Sequence, residues 1–153
     1  MYVLQRAKHT VATAPDPDTI VVQSILCDAL HEMVVRLKVR VSDMEIIQAD
    51  GEFKRIPVPV CRQALVPLQE ITGLKIGPGI TRQITSRVGG GEGCFHLTDL
   101  VMEATRFALQ TKHYLASEQL EEEEKEHYFR RELEGRCRAN APDQALPAGV
   151  TGA

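Results

Sequence analysis

The stretch Val35–Val41, VRLKVRV, alternates without exception between apolar and basic side chains. Because successive side chains of a β-strand point to opposite faces, the valines and the leucine share one face and the basic residues share the other. The stretch therefore predicts a half-buried strand with a basic face toward solvent. Three basic residues without interleaved aromatic side chains do not predict a nucleic-acid surface.

Strand-forming sequence lies on both sides of this stretch. Thr19–Leu26, TIVVQSIL, is rich in β-branched residues, and Met44–Ala49, MEIIQA, follows a tight turn at Ser42-Asp43. Strands joined by short turns pair in antiparallel order. Residues 19–49 are therefore predicted to form a three-stranded antiparallel meander.

The chain after the meander has helical periodicity. Cys61–Ile71 carries a helical pattern interrupted by Pro67, and Ile80–Val88 is predicted as a short helix. Apolar residues then recur at spacings of three and four over residues 98–109, which predicts a longer helix. The fold class predicted from these patterns is α+β, with the three-stranded meander packed by C-terminal helices.

Four parts of the chain are predicted from its composition. Residues 1–17 form a flexible N-terminal arm, and residues 18–115 form the α+β domain. Residues 116–138 form a charged helix that is acidic in its first half and rich in arginine at its far end. Residues 139–153 form a disordered tail.

The overall composition restricts the class of protein. The 153 residues are 43% apolar and 25% charged, with a formal net charge of −3, as in a soluble globular domain. This charge predicts neither nucleic acid nor an acidic membrane as a partner, and no apolar run approaches the ~20 residues that span a bilayer. The N-terminus lacks an apolar signal core, so the expected location is the cytoplasm, where the four cysteines stay reduced.

The segment Gly89–Leu97, GGGEGCFHL, carries the strongest functional signal. It places Cys94 and His96 where a glycine-rich loop enters the predicted helix, and Cys61 opens an earlier helix after two prolines. Thiolate and imidazole are the ligands that zinc and iron–sulfur clusters use. These residue types therefore predict a metal site, although no Cys-x-x-Cys pair is present to indicate a zinc ribbon.

Three antiparallel strands followed by helices, with thiol and imidazole groups at separate places, resemble the iron–sulfur scaffold proteins of the IscU/NifU type. In that family one cysteine precedes the second strand, another opens the helix after the third strand, and a His-Cys pair opens a late helix. Val35–Val41 looks like the second strand, so that His31 takes the place of the first cysteine. Cys61 matches the second cysteine and Cys94 the third. The chain departs from the family at His31 itself and at Gly93, which stands where the family has histidine.

A second resemblance covers residues 20–112. A family of uncharacterised bacterial proteins shares a histidine before the second strand, a mid-chain cysteine after prolines, and a Gly-Gly-x-x-Gly-Cys-x-His-Leu block. The corresponding positions here are His31, Pro57–Cys61 and Gly90–Leu97. This resemblance implies a shared site and brings no established activity with it.

The implied ligand set is His31, Cys61, Cys94 and His96. Two thiolates and two imidazoles suit tetrahedral zinc, and they also suit a [2Fe–2S] cluster with mixed ligation. Five neighbouring residues are expected around the ligands, carboxylates to orient the imidazoles and arginines to offset thiolate charge: Glu32, Glu92, Asp99, Arg62 and Arg87.

The function implied by the resemblance is a small metal- or iron–sulfur-binding protein that acts as a scaffold, carrier or accessory subunit for a partner enzyme. A homodimer is left open, and an accessory protein is favoured over an independent enzyme. One alternative is an enzyme that uses a Cys94 thiolate, with His31 or His96 as base, or a zinc-activated water. The other alternative is a non-catalytic binding module without metal, in which the cysteines are merely buried.

Overall fold

A computed structural model describes residues 1, 3–136, 140 and 141 of the chain. Its elements follow one another as strands first and helices afterwards, so the α+β prediction is confirmed. The strands and helices are β1 (Arg6–Asp16), β2 (Thr19–Asp28), β3 (Glu32–Arg40), β4 (Glu45–Arg55), a 3₁₀ segment (Pro59–Ile71), α1 (Ile80–Val88), α2 (Phe95–Ser117) and α3 (Glu122–Glu132).

The four strands form one antiparallel sheet in the order β1-β2-β3-β4. The prediction of three strands is one strand short, because residues 6–16 of the expected flexible arm form β1 and pair with β2 from Arg6↔Asp28 to Asp16↔Thr19. None of the eleven residues of β1 is buried. An edge strand of this kind lacks the apolar alternation that identifies a strand from sequence, and its backbone hydrogen bonds to β2 place it in the sheet.

One face of the sheet carries the apolar core. Leu26 of β2 lies opposite Met33 of β3, Met33 lies opposite Phe53 of β4, and all three are buried. The same alternation makes Leu37 fully buried on β3 and leaves Arg36 exposed on the opposite face. The 3₁₀ segment packs on this face at Gly51, and the first turn of α2 reaches it where Asp99 pairs with Lys8.

The core face becomes polar toward β1. Ser24 and Asp28 of β2 are buried on the face that carries Leu26, and their partners on β1 are Thr10 and Arg6. The Thr10 and Ser24 hydroxyl oxygens lie 3.0 Å apart. A buried polar group requires hydrogen-bond partners. The buried polar side chains of β2 at this edge of the sheet find those partners on β1.

The segment between β4 and α1 is a 3₁₀ helix, where the sequence pattern predicts an interrupted α-helix. Pro67 has no backbone N–H and cannot donate the bond that an α-helix requires at that position. The segment packs on β4 at Gly51, where a Cβ atom would lie 2.6 Å from a Leu65 methyl group and 2.9 Å from a Leu68 methyl group. Gly51 therefore lets these two leucines approach the sheet.

Helix α2 begins earlier and ends later than the predicted range 98–109. The Thr98 N–H donates to the Cys94 carbonyl at 2.9 Å, which makes Cys94 the N-terminal cap of the helix. Leu97, Leu100 and Val101 are fully buried. Ala104 and Ala108 continue this buried stripe, and the helix extends to Ser117.

Contacts divide the chain into two compact units, residues 1–112 and residues 113–153. Within the second unit, His113 Nδ1 lies 3.0 Å from the Tyr128 hydroxyl, and α3 begins with a capping box between Glu121 and Glu124. The predicted tail, 139–153, lies outside the described residues except for Asn140 and Ala141. No helix in the described part of the chain is long and apolar enough to cross a membrane.

In the loop between α1 and α2, Gly93 is the glycine at which a side chain would clash most severely. A Cβ atom on Gly93 would lie 1.9 Å from the Val88 carbonyl oxygen, and that same oxygen accepts the Cys94 N–H at 3.1 Å. A Cβ atom on Gly91 would meet nothing within 4 Å. Close approach of the two backbones at Gly93 therefore sets the start of α2.

We expect Gly93→Ala to lower the free energy of unfolding by roughly 1–3 kcal/mol, because the backbone must shift to relieve the clash. The matched variant Gly91→Ala should change it by less than about 0.5 kcal/mol. Urea unfolding followed by circular dichroism measures both. Equal stability of the two variants would contradict the close approach at Gly93.

Candidate functional site

The polar edge of the sheet is organised by the Asp28 carboxylate, whose side chain is only 1% exposed. Its Oδ1 atom accepts the backbone N–H groups of Leu30 at 2.8 Å and His31 at 2.7 Å. These two bonds close the turn between β2 and β3. The other oxygen, Oδ2, accepts from Arg6 Nε at 2.8 Å.

Arg6 reaches Asp28 because the two residues are opposite each other in the pairing of β1 with β2. Its Nη2 atom lies 2.7 Å from Asp28 Oδ2 and 3.1 Å from His96 Nε2. A guanidinium group only donates hydrogen bonds, so His96 Nε2 must be the acceptor. Arg6 thus connects the sheet to the first turn of α2.

The His31 ring is held by the same carboxylate. Its Nδ1 atom lies 3.1 Å from Asp28 Oδ1, and its side chain is 11% exposed. An ionised carboxylate only accepts hydrogen bonds, so Nδ1 carries the proton and donates it to Asp28. In the neutral ring, the lone pair on Nε2 is then available to take up a proton.

The two histidine rings are in contact. Their centroids are 4.2 Å apart with an interplanar angle of 44°. His96 is the second residue of α2, and its Nε2 accepts from Arg6, so the neutral ring carries its proton on Nδ1. The pair therefore presents one acceptor nitrogen, on His31, and one donor nitrogen, on His96.

Two pKa values in this cluster depart clearly from the ordinary ones. Burial acts to raise the pKa of Asp28, but the hydrogen bonds from Leu30, Arg6 and His31 outweigh it and hold this pKa far below its usual range. Burial lowers the pKa of His96, and the charges of His31 and Arg6 lower it further. Asp28 is therefore a fixed negative charge, and His96 favours its neutral form.

This arrangement is suited to proton transfer beside a developing negative charge. A carboxylate that fixes the tautomer and orientation of an imidazole is the usual support of a histidine general base. Arg6 is 32% exposed at its side chain and has donors beyond those that bind Asp28 and His96. An anionic group could therefore be held beside the base.

Two of the cysteines lie in a cleft formed within residues 1–112. Cys61 and Cys94 line one cleft of about 590 Å³, between the 3₁₀ segment and the glycine-rich loop. This volume is within the range of small-molecule sites. Cys27 is exposed, and Cys137 lies outside the described residues. The four predicted ligands are thus placed as two pairs, His31 with His96 and Cys61 with Cys94.

The structure does not bring the four predicted metal ligands together into one group. Among the described residues, no group of three or more His, Cys, Asp and Glu side chains is placed to hold a metal ion. Two imidazole nitrogens that could ligate are already engaged, His31 Nδ1 by Asp28 and His96 Nε2 by Arg6. Zinc or a [2Fe–2S] cluster remains a prediction.

The five residues expected around the ligands have mostly other partners. Glu32 pairs with Arg55 at 3.0 Å, and Asp99 pairs with Lys8. The two arginines donate to backbone carbonyls, Arg62 to that of Phe53 at 3.2 Å and Arg87 to that of Gln83 at 3.1 Å. Glu92 lines the cleft with the cysteines.

Sequence reasoning missed Asp28 and Arg6, the two residues that hold the imidazoles. Asp28 is followed by His31 after two residues, and an aspartate that bonds backbone N–H groups two and three residues ahead is a recognised turn pattern that could have indicated it. Arg6 could be found only after β1 had been recognised, because its role follows from its register opposite Asp28.

Comparison with known proteins gives one match. Residues 14–110 match the model of a protein family described as "Protein of unknown function (DUF2889)". This range contains Asp28, both imidazoles and both cleft cysteines, and Arg6 lies before it. No curated protein and no solved structure matches the chain.

We expect the pKa of His96 to lie below the ordinary value of 6.5 and to rise toward it in Arg6→Gln, because that variant removes a neighbouring cation. Because the folded-state pKa of His96 lies below its unfolded value, the unfolded state takes up the proton first as the pH falls. The stability that His96 contributes above pH 6.5 is therefore lost as the pH falls through the folded-state pKa. On acidification, His96→Gln should therefore lose less stability than the unaltered protein does. Titration of the ring protons by NMR measures the pKa.

The matched control for this titration is Arg36→Gln, which removes an exposed arginine from β3. It should leave the His96 titration unchanged. A His96 pKa at or above 6.5 in the unaltered protein, or equal shifts in the two variants, would show that Arg6 and burial do not govern this ring.

Proposed function

We propose that this chain, which belongs to the DUF2889 family of proteins of unknown function, is an acid–base enzyme that acts on a substrate that bears or develops a negative charge. The single observation that carries the proposal is the placement of the His31 ring. The His31 side chain is 11% exposed, and its Nδ1 atom lies 3.1 Å from the Asp28 carboxylate, which is itself 1% exposed.

His31 acts as the general base in this proposal. Its Nε2 takes a proton from a water molecule or from an acidic group of the substrate, and Asp28 stabilises the imidazolium that forms. Because Asp28 stays ionised over the whole neutral range, it can act on His31 throughout. The two backbone bonds to Asp28 Oδ1 prevent the carboxylate from turning away.

Arg6 and His96 hold the negative charge. In hydrolysis of an ester, the water oxygen bonds to the carbonyl carbon while its proton passes to His31, and the carbonyl oxygen becomes an oxyanion. The carbonyl then re-forms as the carbon–oxygen bond to the leaving alcohol breaks, and the His31 imidazolium gives its proton to the departing oxygen. In this proposal the remaining donors of Arg6 and the Nδ1–H of His96 stabilise that oxyanion, and the Arg6–His96 bond and the contact of the two rings support it. A neutral His96 suits this role, because its lowered pKa keeps it from competing for the proton.

A second candidate function is metal or cluster carriage for a partner enzyme, in a fold like that of the IscU/NifU scaffolds. One observation favours it, since Cys61 and Cys94 line the same cleft. Two cysteines that line one cleft are the start of a soft-metal site, and further ligands would have to come from a cluster, a partner or a rearranged loop.

We expect the protein to hydrolyse activated esters such as p-nitrophenyl acetate, and His31→Gln to lower the rate at least about 100-fold, the scale of general base catalysis. Gln keeps the hydrogen bonding and approximate size of the ring but cannot take up a proton near neutral pH. The measurement is the release of p-nitrophenolate across a pH series, with p-nitrophenyl phosphate as a second probe.

His9→Gln is the matched control, because His9 is exposed on β1. It should hydrolyse as fast as the unaltered protein. Hydrolysis of neither probe, or a His31→Gln rate equal to that of the control, would contradict the acid–base proposal. Stoichiometric iron or zinc in the same samples, lost in Cys61→Ala, would instead support the metal carrier.

A further inference from the structure

The 3₁₀ segment has three residues in each turn, so every third side chain lies on the same ridge. One ridge belongs to the core, because Leu65 and Leu68 approach Gly51 of β4 and both Leu68 and Ile71 are buried. The other two ridges line the cleft that holds Cys61 and Cys94.

These two ridges form one side of the cleft as straight rows. Every third residue from Cys61 to Glu70 lines it, and so does every third residue from Val60 to Val66. Residues 91–94 of the glycine-rich loop line the other side. An α-helix has 3.6 residues in each turn and would wind both rows away from the cleft. The 3₁₀ geometry therefore shapes this side of the cleft.

The 3₁₀ side of the cleft presents apolar side chains that the described chain leaves uncovered. Val60 is 61% exposed and Val66 is 76% exposed, and Pro67 lies beside them on the neighbouring ridge. These side chains line a cavity of about 590 Å³, which has the volume of a small-molecule site. The cleft therefore suits a small ligand with an apolar body.

The charged side chains that line the cleft are acidic. Glu70 belongs to the 3₁₀ segment and Glu92 to the glycine-rich loop, so each side contributes one carboxylate. Neither carboxylate has an ion pair or a hydrogen bond within the part of the chain that the structure describes. No described lysine, arginine or histidine lines the cleft. Its two negative charges are therefore available to a cation from outside the chain.

We propose that the cleft binds a primary amine that carries an apolar chain or ring. Glu70 and Glu92 hold the ammonium group, and the apolar part covers Val60 and Val66. A primary ammonium donates three hydrogen bonds, and the Gln63 amide adds a further acceptor to the two carboxylates. A quaternary ammonium is disfavoured, because aromatic rings recognise such groups and no described aromatic residue lines the cleft.

An amine fits the cleft better than a bare metal ion does. A metal ion needs several ligands at once, and no group of three among the described residues is placed to hold one. An amine needs only acceptors for its protons and an apolar wall. The amine site does not depend on the acid–base function, because none of Arg6, Asp28, His31 and His96 lines the cleft.

Three ligands with the same six-carbon chain test the proposal on the unaltered protein, namely hexylamine, hexanol and hexanoate at one pH and ionic strength. We expect hexylamine to bind at least about fivefold more tightly than hexanol, because each ion pair with an exposed carboxylate contributes modestly. Hexanoate should bind most weakly. Titration by ¹⁵N NMR, followed at the Gly91 and Gly93 amides, measures the dissociation constants. Equal binding of the three ligands, or binding of none, would overturn the proposal.

The double variant Glu70→Gln with Glu92→Gln should bring the affinity for hexylamine to within about twofold of that for hexanol. Its matched control is Glu123→Gln, which removes an exposed glutamate from α3 and should leave the preference for the amine unchanged. If the double variant keeps the full preference, the two carboxylates do not hold the ammonium group and the proposal is wrong.

Alkylation of the cysteines locates the ligand within the chain. Cys61 and Cys94 line the cleft, whereas Cys27 is exposed on β2. Hexylamine should slow the reaction of iodoacetamide with Cys61 and Cys94 and leave the reaction at Cys27 unchanged, as measured by peptide mass spectrometry. Equal rates with and without hexylamine, or equal slowing at all three cysteines, would show that the amine does not occupy the cleft.

Discussion

Burial of the Asp28 carboxylate is the constraint on which this structure depends. A charge removed from water is costly unless hydrogen bonds and an opposite charge replace its hydration. Asp28 obtains them from three places in the chain, namely the turn at residues 30 and 31, the His31 ring and Arg6 on the edge strand. Satisfying one carboxylate therefore fixes the turn, the position of β1 and the orientation of an imidazole.

Placement of the site follows from the sheet. The face that carries Leu26, Met33 and Phe53 is apolar at its centre, and the same alternation brings Asp28 onto that face at the end of β2. Helix α2 packs its apolar stripe on this side, and its first turn sets His96 beside Arg6 and against the His31 ring. The side chains of Asp28, His31, His96 and Arg6 therefore lie where the apolar core ends, with Asp28 buried and Arg6 partly exposed.

Part of this arrangement could be predicted from sequence. The alternation of Val35–Val41 identified β3, and the glycine-rich loop located the start of α2 with His96 in its first turn. Proximity of His31 and His96 followed only from a resemblance. Strand β1 could not be predicted, because its side chains are exposed on both faces and its partner is specified by backbone bonds. The role of Arg6 depends on that pairing, so it was not accessible either, whereas the spacing of Asp28 and His31 could have indicated the turn that Asp28 closes.

The proton positions on the two imidazoles test the central claim most directly. ¹⁵N NMR of the rings at a pH where both are neutral distinguishes a proton on Nδ1 from one on Nε2. We expect the proton on Nδ1 in both rings, because Asp28 accepts from His31 and Arg6 donates to His96. A proton on Nε2 of His31 would contradict it, since the ring would then have neither its carboxylate support nor a free base facing the substrate.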